Sequence, residues 1–218
     1  MKGLEFFLIA ILSLFQFQAV NADEIVSATD NVRHLQTQWA KINYQMQGEA
    51  QVLAFESLVE KANKLSAEQP KSAEVLIWAG IIKSTFAGVE SGLGALKLAK
   101  LAKADLDRAI EIDGTAMNGS AYTSLGTLYY NVPGWPLGFG DNKEAEKLFK
   151  KALRINPDGI DSNYFYGDFL YGKKHYQKAK MHMEKAQKAA PRPGREVADR
   201  GRQQEIEMAL SKINKKLN

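Results

Sequence analysis

Cysteine is missing from all 218 residues. Disulfides and cysteine nucleophiles are therefore excluded, and the fold must be held by its core alone. Histidine is scarce: His34, His175 and His182 are all there is. His175 and His182 lie seven apart and share a face if one helix spans both, but no third ligand falls near them. We therefore expect exposed histidines rather than a metal. No serine stands in a Gly-x-Ser-x-Gly elbow, and no motif gathers an acid, a base and a nucleophile. Neither an enzyme nor a cofactor is expected. Sustained strand alternation is absent too, which points to an all-α fold. Charge of one sign is modest, 29 Lys and Arg against 25 Asp and Glu for a net of +4. Lysines 143, 147, 150 and 151 form a basic helix face without interleaved aromatics, so it reads as solvated and no nucleic acid is expected.

What is present fits one globular domain. Hydrophobic residues make up 45% and charged residues 25%, a balance that argues against wholesale disorder. Lys2, the apolar run Phe6 to Phe15, and the small-residue stretch Val20-Asn21-Ala22 have the layout of an export signal. The run is shorter than the roughly 20 apolar residues a spanning helix needs. We expect cleavage near Ala22 and removal of residues 1–22. A soluble mature protein should follow, with no cysteine for a lipid anchor and no stable membrane insertion. A bacterial periplasm is the expected home, with secretion as the alternative.

A repeat emerges when Pro157 is aligned with Pro191. Ala152, Phe149 and Ala145 precede the first, and Ala186, Met183 and Ala179 precede the second at the same offsets. Upstream of each set stands a glycine, Gly126 or Gly167, among large residues. Small residues let two antiparallel helices approach, the large residue fills the space between repeats, and Pro ends the second helix. This resembles the tetratricopeptide repeat. A weaker unit carries Gly80, Ala102, Leu106 and Ala109, and Pro70 closes a degenerate first unit. The expected fold is a tetratricopeptide-type α-solenoid of antiparallel helix pairs. Its units fall at about 30–70, 71–114, 119–157 and 158–191, with a C-terminal capping helix over 195–217.

The glycine-to-alanine spacing varies: twelve from Gly167 to Ala179, nineteen from Gly126 to Ala145, and twenty-two from Gly80 to Ala102. We read the excess as two Gly-rich insertions between paired helices, neighbours along one edge of the stack. One holds Gly88, Gly92, Leu93 and Gly94. The other runs from Val132 to Asp141 and holds Trp135, Gly138, Phe139 and Gly140. Glycine backbones there are free to turn N–H groups outward. Asp141 with Glu144 has capping-box spacing and starts the next helix. Two readings of Trp135 stay open: a lid over the core, or part of a surface that binds a partner or ligand. Asp158 and Asp161 read as turn and cap residues. Asp168 and Tyr130 read as candidates for the groove between repeats. Arg192 and Arg195 read as solvated charge, with pairing to those acids or an anionic ligand as the alternative.

The stretches Gly119 to Tyr130, Pro133 to Asp141 and Asn156 to Asp168, with Pro191-Arg-Pro-Gly-Arg195, resemble an exported bacterial tetratricopeptide family. That family is similar to the T-component of tripartite ATP-independent periplasmic (TRAP) transporters. The resemblance implies a helical, non-catalytic protein whose partner is a periplasmic substrate-binding protein. The binding residues we expect are Trp135, Phe139, Gly138, Gly140, Tyr130, Asp168 and Leu93. The alternative is a carrier of a small apolar or anionic ligand, held in an apolar pocket between the insertions.

Overall fold

The computed structural model describes residues 22–90 and 92–218, with side chains from Asp30 onward. The export signal lies outside the described residues, except at Ala22. Nine α-helices and no strand occur among the described residues. They are α1 (Ala22–Gln45), α2 (Gly48–Glu68), α3 (Ala73–Val89), α4 (Gly92–Asp113) and α5 (Ala116–Asn131), then α6 (Asn142–Ile155), α7 (Ile160–Gly172), α8 (Tyr176–Gln187) and α9 (Glu196–Leu217).

Successive helices pair as antiparallel hairpins, because the small residues of the repeat meet across each pair. A Cβ on Gly80 would stand 2.6 Å from the Leu106 side chain, and one on Gly126 would stand 3.0 Å from the Phe149 ring. At Gly167 the neighbour is Met183, at 3.2 Å. The three glycines thus face the residues that the repeat assigned to the second helix. Ala102, Ala109, Ala145, Ala152, Ala179 and Ala186 are all buried there.

The twenty-two-residue spacing is not an insertion. It is taken up by longer helices: α3 continues to Val89 and α4 begins at Gly92, with its first residue in the left-handed region at φ +65°. Ala, Leu and Lys crowd residues 95–103, and their helix propensity outweighs that of two glycines. Of the two expected insertions, the one at 132–141 is a loop, lying between the end of α5 and the start of α6. Asp141 caps α6 by accepting from the backbone N–H groups of Lys143 (2.7 Å) and Glu144 (3.3 Å). The capping box is half formed, since the Asp141 N–H donates to the Tyr129 carbonyl instead.

The tail helix does more than cap the stack. Ile206, Leu210 and Ile213 of α9 pack on α7 and α8, while Val197 and Ala198 join the core cluster around Trp39 of α1. Gly201 lets the two ends meet: a Cβ there would stand 2.3 Å from the Tyr44 ring. The odd-numbered helices α1, α3, α5, α7 and α9 therefore pack neighbour to neighbour, and α9 returns to α1. The inner layer of the solenoid is a closed ring.

The α6–α7 turn is pinned from α7. Asn163 Nδ2 donates to the carbonyls of Pro157 (2.8 Å) and Gly159 (2.9 Å), and its Oδ1 lies 3.0 Å from His182 Nδ1. His182 is half-buried against Tyr166, which corrects the expectation of an exposed histidine. Burial, and then the Lys185 charge, lower its proton affinity. The unfolded chain therefore takes up this proton first as pH falls below about 6.5. From there down to the depressed folded value, His182 should make stability fall with pH. Urea unfolding between pH 7 and 5 should show a flatter dependence for His182→Gln, and an unchanged slope would refute the assignment.

Candidate functional site

Two residues before each packing glycine, a side chain of the inner helix turns toward the centre of the ring. These are Trp78 on α3, Ser124 on α5 and Phe165 on α7, and all three line one cavity of about 500 Å³. Ile81 and Thr127, directly after their glycines, line it too. Trp39 of α1 closes one side and Arg202 of α9 another; Arg192 and Arg195 come from the loop between α8 and α9. The cavity exists because α9 completes the ring.

Its walls are polar and aromatic together. Trp39 Nε1 donates to Thr85 Oγ1 at 2.9 Å, and Trp39 meets Trp78 edge-on at 5.7 Å between ring centroids. At the start of α5, Met117, Asn118 and Gly119 all adopt left-handed dihedrals, with φ of 50°, 56° and 73°. Two of these are not glycine, and such conformations cost energy that the surrounding packing must hold. Met117 and Asn118 are themselves part of the cavity wall.

A charge cluster holds the ring shut beside the cavity. Asp161 accepts from Arg202 Nε at 2.9 Å and from Arg192 Nη1 at 2.5 Å. Arg192 also donates from Nε and from its backbone N–H to Asp199, each at 2.7 Å. Arg202 Nη1 donates to Glu205 at 2.5 Å, and Tyr44 Oη reaches the same carboxylate at 3.4 Å. The Arg202 guanidinium lies over Tyr164 and Phe165 at 4.2 and 4.5 Å. Burial alone would raise the Asp161 carboxyl, but Arg202 and then Arg192 outweigh it and hold it at about 2. Burial pushes the Tyr164 hydroxyl up to about 12. Solvated charge is thus the wrong reading of Arg192, and Asp161 is an ion-pair acceptor rather than a helix cap. Asp158 remains at the surface, 3.0 Å from Lys185.

The seven sequence-derived candidates lie elsewhere. Trp135 is 90% exposed and Leu137 is 70% exposed, so Trp135 is not a lid over the core. Phe139 packs edge-on against Tyr129 at 5.4 Å, with Lys103 of α4 over both rings. Gly138 and Gly140 serve the loop itself. Their N–H groups donate inward to the carbonyls of Gly134 and Pro133, and a Cβ on Gly140 would overlap the Val132 carbonyl. Leu93 sits in the first turn of α4, 87% exposed and ten residues before Lys103, about 15 Å of helix rise. Leu93 therefore does not face Phe139 across a common pocket, and none of these residues lines the cavity. Tyr130 packs on Phe169 and over Gly172. Asp168 is half-buried, with its carboxyl raised by burial and drawn partly back by Lys212 of α9. Trp39 and Arg202 were missed by sequence reasoning, and the two-before-glycine position was the signal that could have found Trp78 and Phe165. Among the described residues no group of three or more His, Asp or Glu side chains could hold a metal.

Fold and site define a class: an all-helical repeat protein whose inner helices close around a mixed polar and aromatic cavity. The tetratricopeptide repeat family model matches residues 137–158 and 160–193. The segments covering α6, and α7 with α8, are therefore similar to tetratricopeptide repeats. A comparison with curated proteins gives no match.

Proposed function

We propose that the protein is a non-enzymatic adaptor working outside the cytoplasm. It docks a protein partner on the 132–141 loop, the partner being an exported solute-binding protein of a transporter. The observation that carries this reading is Trp135, a large aromatic left 90% exposed on a loop stitched by its own backbone bonds. Large aromatics are usually drawn inward, and they are enriched among the anchors of protein interfaces. A rigid loop presents such an anchor at little entropic cost on binding. Repeat folds commonly bind proteins, which supports the partner class. The export-signal layout of residues 1–22 and the resemblance to transporter T-components support the compartment and the kind of partner.

A photo-crosslinking amino acid placed at Trp135 in cells of the source organism should capture an exported solute-binding protein, identified by mass spectrometry. The same amino acid at Lys64 should not. Equal capture at both sites, or none at position 135, would sink the proposal. In parallel, Trp135→Ala should shift unfolding stability by no more than about 0.5 kcal/mol, as surface substitutions do.

A further inference from the structure

We propose that the central cavity is a binding site for a small organic anion, with Arg195 as the residue that meets the ligand's negative head. This site is separate from the exposed loop and does not depend on it. Three arginines and three acids gather here, so the region is neutral in sum, but the pairing is uneven. Asp161, Asp199 and Glu205 are all engaged by Arg192 and Arg202. Asp158, the remaining acid of the cavity wall, is engaged by Lys185. Arg195 is left without a carboxylate within ion-pair distance among the described residues, and its buried Nε has no hydrogen-bond partner.

Local structure puts the Arg195 side chain there. Gly194 takes a left-handed turn at φ +71°, the Arg195 N–H donates to the Arg192 carbonyl at 3.1 Å, and the guanidinium lies 4.9 Å from the Trp78 ring centroid. The indole face steadies the cation without neutralising it. Burial, and then the neighbouring Arg192, lower the proton affinity of Arg195. A guanidinium nevertheless stays charged at any ordinary pH, and a partly buried charge without a counter-ion is unfavourable. A bound oxyanion removes that penalty with geometry suited to the planar fork.

The rest of the cavity states what the anion carries. Ser84 and Ser124 line the cavity with hydroxyls that can add donors to the head. Ile81, Met117 and Phe165 offer an apolar bed for the body. About 500 Å³ lies within the usual range for small-molecule sites. The ligand class is thus a carboxylate or a phosphate monoester borne on a small apolar or aromatic body.

Trp39 and Trp78 report on the site, and Trp135→Phe removes the third tryptophan from the signal. In that background, tryptophan fluorescence should be titrated with 4-phenylbutyrate and with phenyl phosphate, each beside its neutral counterpart, 4-phenylbutanamide and phenol. At least one anion should bind saturably and at least tenfold tighter than its neutral counterpart, and which anion does so identifies the head. Arg195→Gln should weaken that binding at least tenfold, whereas Arg195→Lys should restore part of it. Three results overturn the proposal: no saturable change with either anion, equal affinity for anion and neutral counterpart, or equal affinity of parent and folded Arg195→Gln. Should Arg195→Gln fail to fold, the anion-against-neutral comparison on the parent decides alone.

Discussion

Asp161→Ala should be among the most damaging single substitutions in the protein, with an expected loss of about 2–3 kcal/mol, less than for a fully buried ion pair because Asp161 is partly exposed and Arg192 and Arg202 keep Asp199 and Glu205. Asp161 accepts from both Arg202 and Arg192, and Arg202 is only 7% exposed. Without the carboxylate, two guanidiniums face each other at the seam of the ring. The damage should be specific to the unmatched charge. Asp161→Leu combined with Arg202→Met removes the buried cation together with one of its two acceptors and leaves Glu205, whose carboxyl burial already raises, to Tyr44 and to protonation, so it should lose less stability than Asp161→Ala alone. A double variant worse than the single would mean that the contacts matter through shape rather than charge. The pH dependence follows from the depressed carboxyl. Its unfolded value is near 3.9 and its folded value about 2. The stabilisation is therefore fully present above the unfolded value and is lost as pH falls through about 2. Urea unfolding of wild type and Asp161→Ala should show a gap that is constant from pH 7 to 5 and narrows as pH approaches 2.

That seam is also where the sequence was least informative. Gly80, Gly126 and Gly167 are readable because close helix contact leaves an imprint on residue type a fixed distance from the alanines it meets. Pairing within a hairpin is local, and so is its signature. The ring closure rests on Tyr44 against Gly201 and on Asp161 against Arg202, contacts between segments far apart in the chain. A charged residue followed by a proline-rich turn looks the same whether its partner is water or a distant carboxylate, so Arg192 and Arg195 read as surface charge. The α3–α4 error has a different cause. Extra spacing between two landmarks fits a loop or longer helices equally well, and only the Ala, Leu and Lys content of residues 95–103 separates them. The Gly-rich loop after α5 was recognised correctly, but its glycines answer to the loop's own tight turns. Trp135 stands apart, because its exposure follows from no packing rule.

Phe149→Ala is the complementary test, aimed at the part of the fold the repeat did reveal. Phe149 is 1% exposed and lies between the buried Ala145 and Ala152 of α6. Its ring presses on Gly126 of α5 and meets Tyr166 and Phe169 of α7 at 6.0 and 5.6 Å between centroids. It therefore joins two repeats, and truncation leaves a cavity at their junction. The expected loss is about 3–5 kcal/mol, the range for buried Phe→Ala. Phe149→Met imports the residue that holds the equivalent place as Met183, and an unbranched thioether can fill much of the gap, so it should recover most of the loss. Because repeat stability is carried by nearest-neighbour interfaces, the effect should also be regional. Hydrogen exchange of Phe149→Ala should show protection falling in α5 to α8 before it falls in α2 and α3. A uniform fall would mean that closure by α9 makes the ring one cooperative unit, with Asp161 and Arg202 binding the distant helices into the same transition as the repeats.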